Sequence, residues 1–182
     1  MSKKFYTADT HFFHKNILVY CQRNFSSIEE HDATLIENWN KKVGKNDTIY
    51  ILGDFSISTN NEVITNYAKQ LNGHKILIRG NHDKNHMPEG LFDEITWYKE
   101  VHDFNYKVIL FHWAIAHWQG SMGKDLRDGT NTKKPSIHLH GHSHSLSTIV
   151  PNRYDVGVDV QGFQPVTLME ILNRERDDLI GH

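Results

Sequence analysis

The stretch His138-Leu139-His140-Gly141-His142-Ser143-His144 sets four imidazoles at every second position around one glycine. In an undisturbed β-strand the side-chain period of two would place all four on one face. Such a face is poor core material, because each ring nitrogen needs a partner. A metal would gather these rings, provided that other ligands converge on them from elsewhere in the chain. The sequence as a whole is rich in this ligand type, with 14 histidines among 182 residues against 20 Lys plus Arg.

Outward from this stretch, residues 1–182 read as one domain, with no repeat, low-complexity tract or Pro/Gly-rich linker. Short apolar runs predict strands over 5–8, 48–52, 75–78, 108–111, 137–140, 156–160 and 166–171. Residues 98–104 and the KVILFH run after Asn105-Tyr106 read as a hairpin. Ser27 followed by Glu30 is a capping box ahead of a helix over 28–42, whose Ile28, Leu35, Ile36, Trp39 and Val43 form one stripe. A second helix over 61–71 closes at Asn72-Gly73. The order β-α-β-α-β and then mostly strands predicts an α/β fold with two packed sheets and helices outside.

The functional signal lies in the residues just past each strand. FYTA leads into Asp9-Thr10-His11, and TIYIL into Gly53-Asp54. KILIR leads into Gly80-Asn81-His82-Asp83, VILF into His112, and IHLH into Gly141-His142-Ser143-His144. Strand ends in open α/β sheets form a common rim where ligands bind. One Gly-Asp pair means little, since Asx residues after strands are ordinary turn formers. Five strands ending in carboxylates, carboxamides and imidazoles make a site. Such donors suit manganese, iron, zinc or nickel better than calcium, and their number exceeds what one ion takes. Two divalent ions sharing one carboxylate use the surplus.

Other features exclude function classes. Cys21 is the single cysteine, so no internal disulfide or cysteine-rich zinc site forms; without an adjacent base it reads as a packed thiol. The formal net charge of −2 carries no basic footprint for nucleic acid, which stays possible but unadvertised. The N-terminal MSKKFYTADTHFF lacks an apolar leader, and no later run spans a bilayer, so a cytoplasmic protein with no membrane partner is expected.

The motifs D9-T-H11, G53-D54, G80-N-H-D83, His112 and G141-H-S-H144 occur in the order that resembles the calcineurin-like metallophosphoesterase superfamily. T10-H-F-F-H-K-N-I17 is similar to a recurrent THFxHxNI element of its small bacterial and phage-type members, and a following R-P-F element appears here as Arg23-Asn24-Phe25, without the proline. The resemblance implies a four-layer α/β/β/α sandwich of two mixed sheets flanked by helices. It further implies that Asp9, His11 and His144 hold one metal, that Asn81, His112 and His142 hold the other, and that Asp54 bridges them. His82 would then sit over the substrate with Asp83 orienting it, and Gly141 would permit the bend that sends His142 and His144 to different metals.

The chemistry so implied is phosphate-ester hydrolysis, diesters before monoesters, with a metal-bridging hydroxide as nucleophile and His82 assisting the leaving group. His14, Asn16 and Arg23 are candidate substrate contacts, with a surface ion pair as the other reading of Arg23. After the second motif, G53-D-F-S-I-S-T59 lacks the arginine of protein Ser/Thr phosphatases. The expected partner is a small-molecule or short-nucleotide phosphate ester. The alternatives are a nuclease acting on DNA or RNA, or a non-catalytic binding or scaffold protein on the same fold. His138 and His140 read as satisfied interior histidines.

Overall fold

The computed structural model describes residues 2–84, 87–121, 134–144 and 149–180, with the backbone alone over 175–180. Its first sheet holds β1 (Lys4–Thr7), β2 (Thr48–Leu52), β3 (His74–Ile78) and β4 (Glu94–Thr96), in that order and all parallel. An antiparallel bridge from Tyr6 to Val166 adds to its β1 edge. The second sheet, β5 (Tyr98–Asp103), β6 (Tyr106–Phe111), β7 (Ile137–His140) and β8 (Arg153–Asp155), is mixed: β5 and β6 form the expected hairpin, and β6, β7 and β8 run parallel.

Alternation along the strands builds two cores. In β2, Ile49 and Ile51 face one way and pack with Leu35, Trp39, Ile64 and Ala68 of helices α2 (Ile28–Lys42) and α3 (Asn61–Gln70). Tyr50 and Leu52 face the other way and meet Val101, Val108, Leu110 and Leu139 of the second sheet. A strand buried on both faces reads as a continuous apolar run, as TIYIL does. The capping box forms at α2: the Glu30 amide donates to Ser27 Oγ at 3.2 Å, while the Glu30 carboxylate reaches back to the Ser26 amide at 2.7 Å.

Two predicted strands near the C-terminus are absent as such. In 166–171, Val166 alone bridges to β1; Leu168 then opens α4 (Leu168–Ile180), which packs Leu168 and Ile171 into the inter-sheet core. The cause is a second capping box. Glu170 N–H donates to Thr167 Oγ1 at 3.3 Å, and the Glu170 carboxylate accepts from the Thr167 amide at 2.7 Å. In 156–160 the ladder ends one residue earlier, at Asp155. The chain then turns, with Gly157 bridging to Ala8 and the Gln161 amide bonding back to Gly157. Asp159 is thereby carried beneath the rim. Among the described residues no helix is long and apolar enough to cross a membrane.

Candidate metal centre

All five motifs lie at the carboxyl ends of β1, β2, β3, β6 and β7, and backbone bonds tie their loops together. Asp9 N–H donates to Gly53 O and His11 N–H to Asp54 O, each at 3.0 Å; Gly141 N–H donates to His112 O at 3.0 Å. The two sheets meet where the His142 amide donates to the Asp9 carboxylate, at 2.9 Å to Oδ2 and 3.1 Å to Oδ1.

Strain concentrates at the same positions. Asp9, His11, Asp54, His142 and His144 all have positive φ, between 43° and 66°. Left-handed backbone costs a non-glycine residue about 1–3 kcal/mol and persists only where the surroundings over-determine it. Gly53, at φ +89°, needs both its conformation and its bareness, since a Cβ there would stand 2.3 Å from His112 Nδ1. Gly141 was expected to supply the bend, but the left-handed turns fall on His142 and His144 instead. Its own requirement is space: a Cβ would lie 2.6 Å from Asp9 Oδ2.

Among the described residues three groups of donor atoms lie within 4.8 Å of one another: Asp9 with His11 and His144, Asp54 with His112 and His142, and Cys21 with His144 and Asp159. The first two are made of motif residues. Asp54 Oδ2 stands 3.6 Å from His11 Nε2 in the first group and 3.6 Å from His112 Nε2 in the second. Donors sharing one ion at about 2.1 Å in a tetrahedron stand about 3.4 Å apart, so these spacings suit shared cations. Asn81 Oδ1 joins the second group, 3.1 Å from His112 Nε2. His112 Nδ1 donates to Leu52 O at 2.7 Å, which leaves the Nε2 lone pair for a metal.

The electrostatics also fit bound cations. His11 is buried with no hydrogen-bond partner for Nε2. Burial, with Arg23 and the neighbouring histidines, pushes its pKa down to about 2. Burial likewise takes His112 down to about 4. Burial, then the carboxylates of Asp155 and Asp54, raises Asp9 well above the usual range. Neutral imidazoles aimed at carboxylates that resist ionisation describe a cavity short of positive charge.

The surrounding residues correct several expectations. Arg23 neither reaches the surface nor awaits a phosphate: its side chain is fully buried and all its nitrogens are engaged. Nε and Nη2 clasp Asp159 at 2.7 and 2.8 Å, Nη2 also holds Asp9 O at 2.8 Å, and Nη1 reaches Thr10 O at 3.3 Å and His31 Nε2 at 2.9 Å. Asp83 was expected to orient the His82 ring. Its carboxylate instead accepts the amides of Gly80, Asp54 and Phe55 at 2.8–3.0 Å, so it shapes the loops around Asp54. His14 does reach the site, with Nδ1 3.3 Å from His11 Nδ1. Asn16 is exposed at the start of α1 (Ile17–Tyr20), outside the residues that line the cleft. His138 bonds Ile109 O and Trp113 O as an interior histidine should, but buried His140 bonds only through Nδ1 and leaves Nε2 without a partner.

Asp159 is the residue that sequence reasoning missed. It binds His144 Nδ1 at 2.6 Å and Arg23 together. Burial alone would raise its pKa; the hydrogen bonds from His144 and Arg23 overcome this and bring it down to about 2. The signal was present, since a lone carboxylate between Val158 and Val160 in an apolar run must find a partner.

Above these groups opens a cleft of about 480 Å3, lined by His11, His14, Ile17, Tyr20, His82 and His142 among others. His82 is exposed at its mouth, its ring 5.5 Å from that of His11, and its amide is fixed by Asp54 Oδ1 at 2.9 Å.

Two packed sheets carrying a histidine- and aspartate-lined rim are the frame of a phosphate-ester hydrolase. The calcineurin-like phosphoesterase superfamily domain matches residues 6–156, and the chain belongs to that superfamily. It is 43% identical over 186 aligned positions to the Gene 66 protein of Mycobacterium phage L5, covering 89% of each chain. An uncharacterized protein of Methanocaldococcus jannaschii is 35% identical over 174 positions, 92% of this chain and 88% of that one. Among solved structures, a protein of unknown function from Aquifex aeolicus superposes with a TM-score of 0.68 at 25% identity, over 98% of this chain and all of that one.

Proposed function

We propose that the chain is a dinuclear phosphodiesterase. Asp9, His11 and His144 would hold one divalent ion, Asn81, His112 and His142 the other, with Asp54 shared. The observation that carries this reading is Asp54 Oδ2, equidistant at 3.6 Å from an imidazole of each group. When bound, such a pair of ions neutralises the ester's charge and supplies a nucleophile at neutral pH. The chain's own residues do the rest. His82, at the mouth of the cleft, delivers a proton to the leaving oxygen, and the Asp54 carboxylate fixes its backbone. His14 widens the imidazole wall on the first group's side. The open cleft admits an ester with an organic arm on either side of phosphorus.

The test is metal-stripped protein reloaded with manganese and offered bis-p-nitrophenyl phosphate. Asp54→Asn should lose on the order of 10³-fold in turnover, since the shared ligand affects both ions, and its bound metal should fall by mass spectrometry. His82→Ala should keep its metal and lose about 10²–10⁴-fold on esters with poor leaving groups. Equal activity of wild type and Asp54→Asn would leave the non-catalytic reading in place.

A further inference from the structure

Two groups of aromatic side chains beside the cleft take no part in this chemistry. On one side, Trp113 touches the rings of His112 and His142, with centroids at 4.9 and 6.0 Å. Trp97 lies against Trp113, at 6.3 Å and 17° from parallel, and remains 51% exposed. The Arg79 guanidinium stands 5.9 Å from the Trp97 ring centre. On the other side, Tyr20 is 70% exposed and meets His14 at 6.1 Å, and His14 meets His11 at 5.2 Å. Each donor group therefore adjoins its own aromatic shelf, Tyr20 by the Asp9 group and Trp97–Trp113 by the Asp54 group.

Core packing does not account for these rings, since neither Trp97 nor Tyr20 belongs to either hydrophobic cluster. A monoester would use one shelf at most, whereas a diester has two organic arms. Planar rings with a guanidinium beside one of them suit the π-faces of nucleobases. In a duplex those faces are hidden by stacking, so the bases must come from a single strand. A formal net charge of −2 leaves little for counter-ion release to contribute, so stacking has to supply the affinity.

We propose, resting on the phosphodiesterase reading above, that the substrate is a nucleoside–phosphate–nucleoside diester, a dinucleotide or short single strand, with one base on Trp97 and the other on Tyr20. In the reaction a water oxygen bonds to phosphorus and the P–O bond to one nucleoside breaks. That nucleoside oxygen leaves with the His82 proton, which the water's proton replaces. The other nucleoside keeps a phosphomonoester.

The test pairs a binding readout with a kinetic one. Metal-free protein is titrated with a thymidine tetranucleotide and with an abasic tetranucleotide of equal charge, following tryptophan fluorescence. Only the thymidine strand should quench, with little weakening by salt, and Trp97→Ala should lose the quench. With manganese, Trp97→Ala and Tyr20→Ala should each raise KM for thymidylyl-thymidine by roughly 5- to 150-fold. The rise on glycerophosphoethanolamine, a diester without rings, should be far smaller for both variants, and Trp97→Phe should recover most of the loss. Equal quenching by both strands, or equal KM changes on both substrates, would overturn the proposal. Base-specific quenching without hydrolysis of any diester would uphold the stacking shelves and remove the catalytic reading. Hydrolysis of both diesters without quenching would do the reverse.

Discussion

The two donor groups are held by different means. Behind Asp9, His11 and His144 lies a buried charge network: Asp159 binds His144, Arg23 clasps Asp159 and the Asp9 carbonyl, and His31 and Asp32 continue it inward. Behind Asp54, Asn81 and His112 lies mostly backbone: Asp83 gathers three amides, and Leu52 O fixes the His112 ring. A charge network concentrates its effect in few atoms and fails abruptly when one is removed. Backbone clamping spreads the load over loops that several strands already anchor. One rim thus carries two neighbouring sites with different vulnerabilities.

The largest expected effect breaks the network at its centre. Arg23→Met leaves Asp159 buried without its cation and should cost about 3–5 kcal/mol of stability, read from urea unfolding of the metal-free protein. A loss below about 1 kcal/mol would mean that solvent already screens the pair. A smaller effect separates the two groups. Asp159→Asn should weaken retention of one metal by about 10–100-fold and leave the second nearly untouched, whereas Asp83→Asn should do the opposite. Competition with a chelator, followed by metal counting, checks both; equal losses of both metals in either variant would erase the distinction.

The smallest effect is acid sensitivity. His112 has a native pKa near 4, below its unfolded value, so the unfolded state binds the proton first as pH falls. Its contribution is complete only well above pH 6.5 and declines as pH falls toward 4, by roughly a few tenths of a kcal/mol between pH 6.5 and 6. Asp9, raised by burial, acts with the opposite sign, losing stability as pH rises through its native pKa. Comparing metal-free wild type with His112→Gln isolates the histidine: the variant should lose that much of the acid slope, and an unchanged slope would place the titration elsewhere.

Much of the site is legible in the primary structure because its ligands sit directly after strands. An apolar run ending in Gly-Asp or Asn-His locates a donor on the rim without knowledge of any contact, and the family pattern sorts those donors. Arg23, Asp83 and Asp159 were harder, because their roles depend on partners up to 136 residues away. A buried arginine clasping a carboxylate and one bound to phosphate look alike in a string of letters. The strand expected over 166–171 failed for a local reason, since the Thr167–Glu170 box competes with the run of apolar residues and wins.

The opening heptapeptide shows where the division falls. Its alternation alone determined that Leu139 faces one side of the strand, with Ile137 just before it, and that His138 and His140 face the other, because strand geometry has a period of two; all four are buried. Folding decided that only His138 and His140 stay on that face. His142 and His144 take left-handed conformations past the strand end and turn to different donor groups. No local preference demands those turns. They persist because the Asp9 carboxylate and Asp159 hold them from across the fold, and such long-range bonds exist only once both sheets are packed.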